Sequence, residues 1–181
     1  IMSIDLTKYK DKGLTGLANL GNTCYLNSCM QMLSHCYPLN EMIDKIDANF
    51  INKIDDSILL IEWNNLRNLM WSQNCVISPN RYVNTVQKIS KNKNIELFSG
   101  FAQNDLPEFL IFLFDTFHNG LEKKVNMNIQ GNSKNNRDEL AKKCYKMIID
   151  MYSNSYSEII KNFFGISVNL ILSENENKKL S

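Results

Sequence analysis

Cys24 stands between the turn-forming run Gly21-Asn22-Thr23 and the segment Tyr25-Leu26-Asn27-Ser28. A thiol attacks carbonyl carbon as its thiolate. The first turn of a helix favours that anion, because its N–H groups lack intrahelical partners and the helix dipole is positive there. Thr23 or Asn22 can cap such a helix, and Leu26, Cys29, Met30 and Leu33 recur at three- and four-residue steps as one buried face. The spacing predicts a helix from Cys24 to about His35, closed by Tyr37-Pro38, with Cys24 at its N-terminus as a candidate nucleophile. A free cysteine is more often a buried structural thiol; its place at a helix start sets Cys24 apart.

Thiol-based acyl transfer also needs a base, usually histidine, to take the thiol proton and return it to the leaving amine. The chain has two histidines. His35 falls about three turns along the Cys24 helix, which at ~1.5 Å per residue puts its Cα roughly 16 Å from that of Cys24. His118 falls at the end of the helix expected to begin at Asp105. Both read as helix-terminal residues rather than as the base for Cys24.

The run from Gly16 to Ser28 resembles the cysteine box of the ubiquitin-specific proteases, the papain-like deubiquitinases. It matches every defined position of Gly-Leu-x-Asn-Leu-Gly-Asn-Thr-Cys-Tyr-(Leu/Met)-Asn-Ser. Downstream, Gln103-Asn104-Asp105-Leu106-Pro107-Glu108-Phe109 is similar to the family's Gln-Gln-Asp-Ala-x-Glu-Phe box and departs from it at Asn104 and Leu106. A third segment, Ile159 to Gly165, resembles the family's Ile-x-x-Leu-Phe-x-Gly, which leads into the first strand of its fingers.

The resemblance implies an α+β fold: a mostly α-helical thumb of a papain-like cysteine protease, with a terminal β-strand of the fingers. On that basis residues 1–14 are an N-terminal arm, 15–165 the helical thumb, and 166–181 a truncated start of the fingers. It implies a thiol-dependent ubiquitin hydrolase that cleaves after ubiquitin's C-terminal glycine through a thioester on Cys24, with Asn19 donating to the oxyanion. A preorganised donor of that kind is worth about 10²- to 10³-fold in rate. Gln103, Asp105 and Glu108 are expected to line the cleft for the ubiquitin tail, the two carboxylates facing its arginines. Without the resemblance, Asn19 shapes a turn, and Asp105 and Glu108 cap a core helix.

The family's Gly-His-Tyr histidine box and its palm have no counterpart here, nor has the Asp or Asn that orients the histidine. The chain alone is therefore expected to be inactive, as a fragment, a processed piece or a split gene whose second chain or C-terminal half carries the catalytic His. The alternatives are a ubiquitin-binding pseudoenzyme, a structural or assembly protein, and a hydrolase for a modifier other than ubiquitin. Neither metal nor cofactor is expected: no C-x-x-C pair occurs, and Ser173 stands where the first zinc ligand of the fingers would be.

Apolar residues make up 44% of the 181, charged residues 22%, and the net charge is +1. That balance gives no basis for nucleic acid or anionic lipid as a partner. No apolar run reaches the ~18 residues of a membrane span. Five cysteines, odd in number, suit reduced thiols in an intracellular setting, cytoplasmic or nuclear.

Around the Cys24 helix the pattern predicts further helices. One runs from about Asp56 to Trp71 with Leu59, Trp63, Leu66 and Met70 inward, capped by Asp55 or Asp56. Another opens at Ser78-Pro79, with Ser as cap, and buries Tyr82, Val86 and Ile89. Asp105 and Glu108 form a capping-box-like start to the most apolar helix, which is expected to be central because residues from Leu110 to Phe117 leave it little polar face. Residues 121–138 read as an exposed loop. Helical spacing returns from Glu139 to about Asn162, broken by the polar residues Tyr152 to Ser157, and Ile166 to Leu172 alternate like a strand.

Overall fold

The computed structural model describes residues 5–47, 49 and 51–165; the expected strand from Ile166 lies outside them. Two compact units divide at Glu122 and Lys123, at the start of the polar stretch that the sequence marks as a loop.

The first unit is helical, with one minimal sheet. Its elements are β1 (Gly16–Leu17), α1 (Cys24–Ser34), α2 (Tyr37–Asp44), α3 (Asp55–Ser72), β2 (Val76–Ile77), α4 (Asn80–Asn92) and α5 (Leu106–Leu121). β1 and β2 pair in parallel, Gly16 opposite Val76 and Leu17 opposite Ile77. The core is what the helical periods predict: Leu26, Cys29, Met30 and Leu33 of α1, Leu59, Trp63, Leu66 and Met70 of α3, and Tyr82, Val86 and Ile89 of α4 are all buried. The main packing of α3 is against α5 and α4. The two backbones of α3 and α5 approach closely at Gly120, where a Cβ would sit 3.2 Å from Ser57 Cα.

Several expectations are corrected. Pro38 opens a helix instead of closing one, since it occupies the first turn of α2, where its missing N–H has no intrahelical partner to lose. α1 ends at Ser34, whose carbonyl accepts from Asn40 Nδ2 at 2.7 Å and Trp71 Nε1 at 3.1 Å. Asp55 and Asp56 lie inside the first turn of α3 behind an Ile54 N-cap; Asp56 accepts from Asn119 Nδ2 at 2.8 Å and pairs with Lys93 at 2.5 Å. Pro79 itself takes the N-cap position of α4. In α5, Phe109, Phe112, Leu113 and Phe117 are buried, whereas Ile111 is 62% exposed, so that helix keeps one face to solvent.

Lys8 and Tyr9, ahead of β1, are tied down. Tyr9 stacks on Tyr37 with ring centroids 4.3 Å apart and meets the edge of Trp71 at 4.8 Å. Lys8 Nζ reaches Glu41 at 2.6 Å and Asp44 at 3.0 Å, and Asp44 also pairs with the buried Arg67.

The second unit holds α6 (Asn136–Tyr152) and α7 (Glu158–Phe163), separated where the sequence turns polar. Asn135 and Ser157 cap the two helices, accepting from Asp138 N and Ile160 N. Lys123 and Tyr156 exchange backbone hydrogen bonds of 2.9 and 3.0 Å, closing the loop onto the break between the helices.

Candidate functional site

The cysteine loop is held from both ends. β1 hangs on the β2 edge through Gly16 N to Cys75 O at 2.8 Å and Ala18 N to Ile77 O at 2.9 Å. From the other side, α1 presents Asn27 and Gln31, four residues apart and so on one face. Asn27 Nδ2 donates to Leu17 O and Ala18 O at 3.3 and 3.1 Å, and Gln31 Nε2 to Thr15 O at 2.7 Å. The backbone leading into Asn19 is thus clamped between a strand and a helix.

The chain then reverses through Gly21 and Asn22, both left-handed, with φ of +98° and +51°. Glycine and asparagine tolerate that region far better than other residues, so the turn is written in the residue types. Inside it, Asn19 Oδ1 accepts three hydrogen bonds, from Gly21 N at 3.2 Å, Thr23 N at 3.1 Å and Thr23 Oγ1 at 3.0 Å. Backbone N–H groups can only donate, which fixes the amide with its oxygen inward and its Nδ2 outward. Among the described residues no acceptor takes a hydrogen bond from that Nδ2, and Asn19 is exposed.

Cys24 is the first residue of α1 and its side chain is exposed. Thr23 holds the N-cap position, yet its hydroxyl makes no cap bond to the helix. The donors of the first turn therefore stay available beside the sulfur. The other four cysteines are free as well. Cys29 lies one turn on and is fully buried, and burial pushes its thiol up to about 12. A thiol so buried is held in its unreactive protonated form, in addition to being out of reach. Iodoacetamide at pH 7 is therefore expected to modify Cys24 and to spare Cys29 until the chain unfolds. Peptide mapping after timed quenching checks this, and comparable labelling of the two would contradict the packing of α1.

The second box and Phe101 just before it come to this loop by three contacts. Asn22 Nδ2 donates to Phe101 O at 3.1 Å. Asn104 lies beside the Tyr25 phenol, whose pKa burial pushes up. Phe109 receives the Tyr25 ring edge-on at 5.3 Å. Asn104 is itself fixed by donating to Leu97 O and Ala102 O at 2.7 and 3.0 Å.

Gln103, Asp105 and Glu108 are all exposed on the same segment. Asp105 occupies the N-cap of α5 without a side-chain cap bond, so the expected capping box is not formed. Pro107 in the first turn has no N–H to offer, and the carboxylates of Asp105 and Glu108 stay at the surface. Glu108 lines a shallow groove with Asp115, Ile111 and Leu97.

The two histidines are elsewhere. His35 is the C-cap of α1, at the opposite end from Cys24, with Nδ1 2.9 Å from Gln31 O and its ring 5.0 Å from Trp71. His118 lies in the last turn of α5, its Nε2 3.8 Å from Glu122. Asn27, Gln31 and Asn104 are the residues of the site that sequence reasoning missed, and Thr23 was read only as a helix cap. The i, i+4 amide pair on α1 was the signal available for Asn27 and Gln31.

The family described as "Ubiquitin carboxyl-terminal hydrolase" matches residues 15–179. Among curated relatives, Ubiquitin carboxyl-terminal hydrolase Usp2 of Drosophila melanogaster is 28% identical over 160 residues, covering 86% of this chain and 16% of its own length. Putative ubiquitin carboxyl-terminal hydrolase 11 of Arabidopsis thaliana is 31% identical over 170 residues, covering 84% and 18%. Ubiquitin carboxyl-terminal hydrolase 2 of Bos taurus is 32% identical over 121 residues, covering 63% and 19%. The chain spans less than a fifth of the length of each of these three relatives.

Proposed function

We propose that this chain, which belongs to the ubiquitin carboxyl-terminal hydrolase family, supplies the nucleophile and the oxyanion donor of a cysteine deubiquitinase acting at ubiquitin's C-terminal glycine. The observation that carries the reading is the Asn19 amide, locked by three bonds with Nδ2 outward, next to an exposed Cys24 at a helix N-terminus.

In the proposed reaction Cys24 Sγ attacks the carbonyl carbon after deprotonation. A C–S bond forms, and the carbonyl electron pair moves onto oxygen, where Asn19 Nδ2 and first-turn N–H groups receive it. Collapse of that oxyanion expels the amine and leaves a thioester, which water then hydrolyses. Donors aimed where charge develops lower the barrier because they need no reorganisation as it appears. Asp105 and Glu108, free of capping duty, are proposed to meet the arginines of the ubiquitin tail, with Gln103 beside them. The described helices would form the thumb of a papain-like fold, in a reducing intracellular compartment that keeps the five thiols free.

The proton is the step these residues do not supply, since His35 and His118 are both held in other contacts. We assign the base to a histidine outside these 181 residues, on another segment or another chain, so this chain alone is expected to turn over little substrate. That same lack of a base favours a second reading, a ubiquitin-binding protein without chemistry.

The two readings separate when the chain is exposed to ubiquitin bearing a C-terminal propargylamide and examined by intact mass. The alkyne needs only an aligned thiol. A one-ubiquitin adduct that maps to Cys24 is the expected result; reversible binding without an adduct would favour the second reading.

A further inference from the structure

We infer that Thr23 is a positioning residue for the oxyanion donor, holding and polarising the Asn19 amide through its hydroxyl. The inference rests on the reading of Cys24 and Asn19 given above. A threonine at a helix N-cap ordinarily spends its hydroxyl on the N–H groups of the first turn. Thr23 does not: its Oγ1 accepts from Leu20 N at 3.0 Å and lies 3.0 Å from Asn19 Oδ1.

The proton directions follow from these partners. Leu20 N–H can only donate, so it takes a lone pair of Oγ1, and the carbonyl Oδ1 can only accept, so the hydroxyl proton points to Asn19. Thr23 is 4% exposed, which keeps water from replacing that bond. Donation into Oδ1 draws electron density from the amide nitrogen and makes Nδ2–H a stronger donor to a developing oxyanion, because linked hydrogen bonds polarise one another. The same hydroxyl ties the residue before the turn to the residue after it. One side chain thus sets both the direction and the strength of the Asn19 donor while touching no substrate atom.

Two ubiquitin probes separate this role from a structural one. A C-terminal aldehyde is attacked by Cys24: the C–S bond forms, the carbonyl π pair moves to oxygen, and the thiol proton ends on that oxygen, giving a neutral hemithioacetal. Its oxygen occupies the oxyanion position. With the propargylamide, sulfur adds to the internal alkyne carbon and the proton goes to the terminal carbon, leaving a vinyl thioether with no oxygen at the reacting carbon.

Thr23→Val is expected to weaken aldehyde binding about 10-fold while leaving the alkyne labelling rate within about 2-fold. Asn19→Ala is expected to weaken aldehyde binding about 100-fold. Thr23→Ser, which keeps the hydroxyl, is expected to restore most of the affinity. Alkyne labelling serves as the check that each variant is folded, and Thr23→Ala replaces the valine variant where it fails that check.

Equal aldehyde affinity in wild type and Thr23→Val, or equal losses of both probes across the Val, Ala and Ser variants, would overturn the inference and leave the function standing. A wild-type chain that takes neither probe would instead overturn the proposed function, and this inference with it.

Discussion

Replacing Cys24 with alanine is expected to abolish the ubiquitin adduct, a loss on the order of 10⁴-fold or more, with Cys24→Ser nearly as severe. The size of the effect follows from what else the loop contains. The hydroxyl of Thr23 is buried and committed to Asn19. Ser28, exposed one turn along α1, is an alcohol that stays protonated at neutral pH. Because the Cys24 side chain is exposed, its removal should leave stability within about 0.5 kcal/mol. Thermal melts run beside the mass assay would separate a lost nucleophile from a lost fold. A residual adduct in Cys24→Ala would move the nucleophile to another residue and sink the proposed chemistry.

The second large effect concerns the seat of the site. Phe109 is fully buried and meets Tyr25 at 5.3 Å, Phe98 at 5.4 Å and Phe112 at 6.1 Å. Truncating it removes a ring from the cluster on which the first turn of α1 rests, next to Cys24. Phe109→Ala is expected to destabilise the chain by about 3–5 kcal/mol, and Phe109→Leu by ~1 kcal/mol, because the leucine fills most of the space. Urea unfolding curves provide the comparison. An alanine variant less than about 1 kcal/mol weaker would mean that the aromatic cluster does not seat α1.

These two outcomes tie together the halves of the site. The phenylalanine that closes the second box packs under the tyrosine that follows the nucleophile, and Phe101 holds the same loop from the rim through Asn22. The two boxes lie far apart in the chain because their coupling is tertiary. A helix end cannot hold an exposed thiol in place without something rigid beneath it.

Much of this was legible along the chain. The Gly21-Asn22 turn, the start of α1 at Cys24, the inward faces of α1, α3 and α4, and the polar break before α7 all follow from local preferences: left-handed tolerance, a 3.6-residue period and helix breaking. Each involves neighbours within a turn or two, where sequence and conformation are tightly coupled. The rest required residues distant in sequence to meet. The two-residue pairing of β1 with β2 is too short to leave an alternating pattern, and it exists because Thr15 and Asn27 hold the strand in place. Asp105 and Glu108 looked like a cap, but Pro107 removes one of the donors that a cap would use. The outward turn of Asn19 Nδ2 depends on two backbone N–H groups and one hydroxyl converging on a single oxygen. Residue type named the candidate donor; only the folded loop, by placing those three donors around Oδ1, decided which end of the amide faces the reaction.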